Sequence, residues 1–350
     1  MKYNREEMMM SEMKSREIRL KNRPVGMPCE TDFELAEAEV SEIGEGEVLI
    51  RNVYMSVDPY MRGRMYDRKS YVPPFQLNEP LEGGSVGQIV ASKNDKFAIG
   101  DCVMNTLGWR EYAVSDGTDL TKVDPKLVPF QTYLGTAGMP GMTAYVGLLD
   151  IGKPKAGETV FVSAASGAVG SIVCQIAKLK GCRVVGSAGS DEKVAWLVAE
   201  AGIDAAFNYK NVDDLVAEVG KHCPGGIDVY FENVGGAHLE AALEHMNPYG
   251  RIVMCGMISV YNATKPVPGP VNLGYTISKK LTIQGFIVSD HMEKRPQFLS
   301  DMATWMKAGK IKWKETIFEG IEEAPRAFIG LFKGENFGKM LVKLGADPEL

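Results

Sequence analysis

Between residues 159 and 308 short apolar runs alternate with segments of helical period at a near-regular interval. T-V-F-V-S (159–163), R-V-V-G-S-A (183–188), a short run at 206–208, I-D-V-Y-F-E-N-V (227–234), R-I-V-M-C-G (251–256) and L-T-I-Q-G-F-I-V (281–288) read as strands. The intervening stretches 168–180, 191–201, 212–223 and 237–246, and the closing stretch 296–308, read as helices. This order admits few folds: it predicts a parallel, doubly wound sheet of six strands, with any ligand at the carboxyl ends of the strands.

The first strand-to-helix passage, T-V-F-V-S-A-A-S-G-A-V-G-S (159–171), has the shape of a phosphate-binding turn. Small residues let the backbone approach a pyrophosphate, and the following helix start offers N–H groups and a partial positive charge. Ala165, Gly167 and Gly170 occupy the three places of a G-x-G-x-x-G pattern, so its first glycine is replaced. A full dinucleotide-binding (Rossmann) sheet is expected over 135–310, entered through a turn and helix at 136–149.

The rest of the chain has a different texture. Up to residue 134, runs such as 48–57, 83–92 and 101–114 read as strands separated by Gly, Pro and Asp turns, with no comparable helix signal. An antiparallel, barrel-like (GroES-like) domain is expected over 1–134. The tail, 311–350, returns to strand-like runs and is expected to rejoin it. Residues 1–16 are polar, carry three consecutive methionines and lack the apolar core of a secretory signal, so they read as a frayed start.

A net charge of −6 points away from nucleic acid and anionic membrane surfaces, and no apolar run reaches the length of a bilayer span. The cytoplasm is the expected location. Six scattered cysteines without a C-x-x-C, and four histidines without ligand spacing, give no metal site. Cys174 and Cys255 fall in a predicted helix and strand, where small buried thiols are the default.

The second strand decides between dinucleotides. An NAD site needs an Asp or Glu at its end for the ribose 2′-OH, but 183–188 ends in Ala188, followed by Gly189 and Ser190. The first acid, Asp191, stands where a helix N-cap belongs. Lys193 lies one turn into that helix, close enough to meet a 2′-phosphate and equally readable as a solvated surface lysine, with Tyr209 in F-N-Y-K as a further candidate donor. NADPH is therefore expected.

The strings R-P-V-G-M-P (23–28), V-Y-M-S-V-D-P-Y-M-R-G-R-M (53–65), A-A-S-G-A-V-G-S (164–171), G-S-D-E-K-V (189–194), F-N-Y-K (207–210), F-E-N-V-G-G (231–236), C-G-M-I-S-V-Y-N (255–262) and G-F-I-V-S-D (285–290) resemble one family along 23–343. It is the zinc-independent double-bond reductase branch of the medium-chain dehydrogenases/reductases, which includes prostaglandin, alkenal and curcumin reductases. Where its zinc-dependent relatives carry Cys and Gly-His-Glu, this chain has S-V-D-P-Y-M-R-G and L-E-G-G-S-V-G, with neither thiol nor imidazole.

The resemblance implies site residues. Gly167, Ala168 and Val169 match the pyrophosphate turn, and Gly189, Lys193 and Tyr209 match the 2′-phosphate grip. Asn233, Val234, Cys255 and the strand end Phe286, Ile287 and Val288 match contacts to the nicotinamide half, as do Met139, Thr143 and Asn336. Tyr261 matches the catalytic tyrosine. Tyr54 and Tyr60 read as candidates for the substrate wall or as packed aromatics. P-V-P-G-P (266–270) reads equally as a lid or a connector.

The expected reaction is conjugate reduction of a small, apolar enone or enal by NADPH. Hydride goes to Cβ, Tyr261 and the ribose 2′-OH stabilise the enolate oxygen, and a proton is added at Cα. A homodimer is expected. Two other readings stay open: an NADPH:quinone oxidoreductase, and a non-catalytic NADPH-binding or sensing protein.

Overall fold

A computed structural model describes residues 13–348; the start at 1–12, read above as frayed, lies outside the described residues. The described residues divide into two compact units: one of 13–134, 316–335 and 340–348, the other of 135–315 and 336–339.

In the first unit, strands β1 (Lys14–Leu20) and β2 (Phe33–Glu39) pair antiparallel. β3 (Val48–Ser56), β4 (Ser85–Ser92), β5 (Cys102–Asn105), β6 (Tyr112–Ser115) and β7 (Thr121–Lys122) belong to a larger sheet. That sheet reads β14-β15-β3-β4-β5-β7, with β6 on β3. Its last members in the chain are β14 (Glu315–Glu319) and β15 (Lys339–Lys343).

Several expectations for this unit are corrected. The frayed start ends before Lys14, because β1 begins there. Its charges are paired: Arg16 binds Glu111 at 2.7 Å, and buried Glu17 meets Arg19 at 2.6 Å. The run 101–114 is two strands, interrupted where buried Trp109 takes a positive φ of 64° and stacks on Phe33. Short helical turns stand at Met61–Arg64 and Phe130–Leu134. The tail is not all strand: helix Ala324–Lys333 buries Phe328, Ile329 and Leu331, and Gly334 ends it at φ 71°.

The second unit holds a six-stranded sheet. Its strands in chain order are β8 (Thr159–Val162), β9 (Arg183–Ala188), β10 (Ala205–Asn208), β11 (Ile227–Glu232), β12 (Met246–Met254) and β13 (Thr282–Gly285). They lie in the order β10-β9-β8-β11-β12-β13, and the registered pairs are parallel. The central strands are buried on both faces, which is why T-V-F-V and I-D-V-Y-F-E read as continuous apolar runs. One apolar cluster, with Ile172, Ile176, Trp196 and Phe298, covers one face; another, with Phe207, Val219, Leu239 and Leu243, covers the other.

Here too some bounds move. The entry helix is Met139–Val146, continuing as a wider π turn to Gly152. β13 stops at Gly285, so Phe286 and Ile287 follow the strand and Val288 opens a 3-10 turn. Cys255 follows β12 rather than lying in it. Helix Leu215–His222 starts three residues later than expected, because Asp214 caps it, its carboxylate accepting from the Ala217 amide at 3.0 Å.

Candidate active site

The sheet order reverses between β8 and β11, so the carboxyl ends of these two strands form the crevice where such folds place ligands. The turn after β8 is built by close approaches. Ala164 takes φ 47°, and a Cβ at Gly170 would fall 2.4 Å from the Ala164 carbonyl oxygen, so only glycine admits helix Gly170–Leu179 so near the turn. The Ala165 amide donates to the Ser187 carbonyl at 2.9 Å, which draws the turn onto β9. Ala165 and Ser166 are buried, whereas Gly167, Ala168 and Val169 form a half-buried crest at the helix start.

Residues 336–339 close on this crest. The Gly338 amide donates to the Ser166 carbonyl at 3.0 Å, and Gly167 and Gly338 form an isolated parallel bridge. Asn336 Nδ2 donates to the Gly338 carbonyl at 2.9 Å, and Phe337 packs edge-on against Trp196.

The corner beyond β9 is cationic. Gly189 is closely approached: a Cβ there would meet the Tyr209 hydroxyl at 3.2 Å and Lys210 Cε at 3.4 Å. Burial lowers the pKa of half-buried Lys193, and the ammonium of Lys210 lowers it further. Two cations held together beside Gly189, with no carboxylate at the end of β9, suit a dianion. Lys210 was missed in the sequence, although it is the last letter of F-N-Y-K. Tyr209 rests edge-on against buried His238, 5.0 Å between ring centres. Asp191 is corrected: Ser190 is the N-cap, accepting from the Lys193 amide, and the Asp191 carboxylate binds the side-chain amides of Asn208 and Asn211.

On the other side of the crevice the ends of β8 and β11 are latched. Asn233 N donates to Ser163 Oγ at 2.9 Å, and Asn233 Nδ2 to the Ser163 carbonyl at 2.8 Å. Val234 N donates to Glu232 Oε1 at 2.6 Å. After β12 the chain passes Cys255, whose thiol burial pushes up to about 12, and makes a 3-10 turn at Ile258–Val260. Tyr261 ends that turn, and the Met257 amide donates to its hydroxyl at 3.3 Å. Burial raises the phenol's pKa, with Cys255 and Glu232 adding to the rise, so Tyr261 is a protonated donor at neutral pH.

The other expected residues fall as follows. Thr143 Oγ1 donates to the Met139 carbonyl at 2.8 Å within one helical turn. The Phe286 ring lies where a Cβ on Gly147 would have to go, 2.6 Å away, and faces His291 edge-on. Tyr54 and Tyr60 belong to the first unit. Tyr54 is buried in β3 with its hydroxyl engaged by Asp347 and Lys343, and Tyr60 sits just before helix Met61–Arg64 with its pKa raised by burial. Among the described residues no group of three or more His, Cys, Asp or Glu could hold a metal ion.

Comparison with known proteins fits this geometry. Residues 16–123 match the family described as the N-terminal domain of oxidoreductase, and 168–305 the family described as zinc-binding dehydrogenase. The NADPH-dependent curcumin reductase of Escherichia coli is 45% identical over 345 residues, covering 97% of this chain and 100% of that protein. The NADP(+)-dependent 2-alkenal reductase of Nicotiana tabacum is 45% identical over 344 residues, with 97% and 100% covered. The crystal structure of CurA in complex with NADPH from Vibrio vulnificus superposes with a TM-score of 0.91 at 44% identity, covering 95% of this chain and 100% of that one.

Proposed function

We propose that this chain, which belongs to the double-bond reductase branch of the medium-chain dehydrogenase/reductase family, reduces the C=C bond of α,β-unsaturated ketones and aldehydes with NADPH. The observation that carries the reading is the pairing, along the carboxyl edge of one sheet, of a two-lysine corner at Gly189 with a half-buried, protonated tyrosine past β12.

The residues fit a 2′-phosphorylated dinucleotide. Lys193, Lys210 and Tyr209 hold the 2′-phosphate, and Gly167, Ala168 and Val169 receive the pyrophosphate at the helix start. Asn233, Val234, Cys255, Phe286, Ile287 and Val288, with Met139, Thr143 and Asn336, line the nicotinamide half. When bound, NADPH supplies the hydride that bonds to Cβ. The Tyr261 O–H then donates to the carbonyl oxygen as the C=C electron pair moves toward it, and proton addition at Cα completes the saturated ketone or aldehyde. The Tyr54 hydroxyl has partners of its own in the first unit.

The working unit in this reading is a homodimer in the cytoplasm. Edge strand β13 is exposed at all four positions, and exposed Val271, Leu273, Ile277 and Ile283 lie in or just before it. An open sheet edge with apolar neighbours is a template for a second copy. The free state of all six cysteines suits a reducing compartment, and among the described residues no helix is long and apolar enough to cross a membrane. Light scattering that returned a monomer mass would remove the dimer.

The reading is tested by assaying enones, enals and a quinone in parallel with NADPH and NADH. Turnover of enones and enals with a strong preference for NADPH is expected. Turnover of the quinone alone, or binding of NADPH with no turnover, contradicts it.

A further inference from the structure

Glu232, the last residue of β11, is a fully buried carboxyl at the point where the sheet order reverses. With no exposed surface it touches neither cofactor nor substrate, yet it stands at the centre of the hydrogen bonds that shape the crevice. Its Oε1 accepts from Ser163 Oγ at 2.9 Å and from Val234 N at 2.6 Å. Ser163 Oγ in turn accepts from Asn233 N at 2.9 Å, so one hydroxyl bridges the carboxylate and the next backbone amide.

The strap held in this way supports the turn before Tyr261. The Asn233 carbonyl accepts from Ile258 N at 3.2 Å, and the Val234 carbonyl accepts from Ser259 N at 3.0 Å and from the Ser259 hydroxyl. Tyr261 N then donates to the Ile258 carbonyl at 3.3 Å, and Met257 N to the tyrosine hydroxyl. A second leg needs no side chain: the Glu232 carbonyl accepts from the amides of Cys255 and Gly256, both at 3.0 Å.

We propose that Glu232, acting through Ser163 and the Asn233–Val234 strap, is a positioning residue that sets the nicotinamide side of the cofactor site and the Tyr261 turn together. A buried carboxyl is costly unless it is hydrogen-bonded; here Oε1 takes both the Ser163 and the Val234 donor while Oε2 has no hydrogen-bond partner among the described residues, so those two donors have one favoured arrangement. Removing either the carboxylate or the serine hydroxyl frees the strap while leaving the Gly189 corner untouched. The inference rests on the reading of Tyr261 as the donor, but its first test is independent of turnover.

The test compares Glu232→Ala, the isosteric Glu232→Gln and the minimally disruptive Ser163→Ala with wild type. Dissociation constants for NADPH and for 2′,5′-ADP, which lacks the nicotinamide half, are measured by fluorescence and calorimetry. Glu232→Ala and Ser163→Ala are expected to weaken NADPH at least about fivefold while 2′,5′-ADP stays within about twofold, with Glu232→Gln recovering part of the loss. In enone turnover kcat falls at least about tenfold, and adding Tyr261→Phe to Ser163→Ala costs less than the product of the single effects. Parallel weakening of both ligands, or NADPH affinity within about twofold of wild type in all three variants, overturns the proposal. If wild type binds NADPH but reduces no enone, the proposed function fails and the binding comparison still decides the role of Glu232.

Discussion

The methyl group of Ala165 occupies the space that a side chain on Gly186 would need: a Cβ at 186 falls 2.6 Å from it. The glycine missing from the turn's first place is thus matched by a glycine in the facing strand β9, and the turn reaches the sheet all the same. Gly186→Ala is expected to destabilise the protein by about 1–3 kcal/mol through overpacking, read as a lower melting temperature. Ala165→Gly in the same chain is expected to restore much of that loss. Melting temperatures of Gly186→Ala equal to wild type would contradict this packing.

Lys193 and Lys210 are expected to share the 2′-phosphate. Lys193→Ala and Lys210→Ala each raise the KM for NADPH, by about 10- to 100-fold for Lys193 and less for exposed Lys210, because a charge-assisted hydrogen bond contributes about 1.5–3 kcal/mol. The KM for NADH changes little. The assignment fails if the two cofactors are affected alike.

Tyr261→Phe removes the donor to the carbonyl oxygen while keeping the ring. A fall in kcat of about 10²-fold or more with a simple enone is expected, with NADPH affinity near wild type. A kcat within about threefold of wild type leaves less than ~0.7 kcal/mol of barrier to the hydroxyl and removes it from the mechanism.

His238 predicts a pH response. Burial pushes its imidazole down to about 4 from an ordinary value of 6.5, and among the described residues its Nε2 has no hydrogen-bond partner. The unfolded chain therefore binds the proton first. The stability is fully present above pH 6.5 and is lost as pH falls toward about 4, by about 3 kcal/mol at most. His238→Phe is expected to flatten the difference in melting temperature between pH 7 and pH 5 relative to wild type. An unchanged slope would show that the imidazole is protonated in the folded state.

The parallel sheet was legible because its inner strands are buried on both faces and carry unbroken apolar runs. Strand β1 was hidden because K-S-R-E-I-R-L is rich in charge, and Glu111, which pairs with Arg16, lies far along the chain. The tail helix was missed although A-P-R-A-F-I-G-L-F-K has a proline near its start and Gly334 after its end. The Ser190 cap escaped because Ser and Asp are adjacent and equally apt, and only the extended backbone of Ser190 separates them. Glu232 looked like any strand residue in F-E-N-V. Its importance comes from what the fold brings to it: Ser163, far away in sequence, and the strap that follows.

The central claim is that hydride reaches Cβ of a conjugated carbonyl compound. The most direct measurement uses NADPH deuterated at the transferring C4 position, a simple enone, and NMR of the product. The account predicts a saturated ketone with its carbonyl intact and the deuterium on Cβ. Deuterium on the carbinol carbon of an allylic alcohol, or on Cα of the ketone, would contradict it.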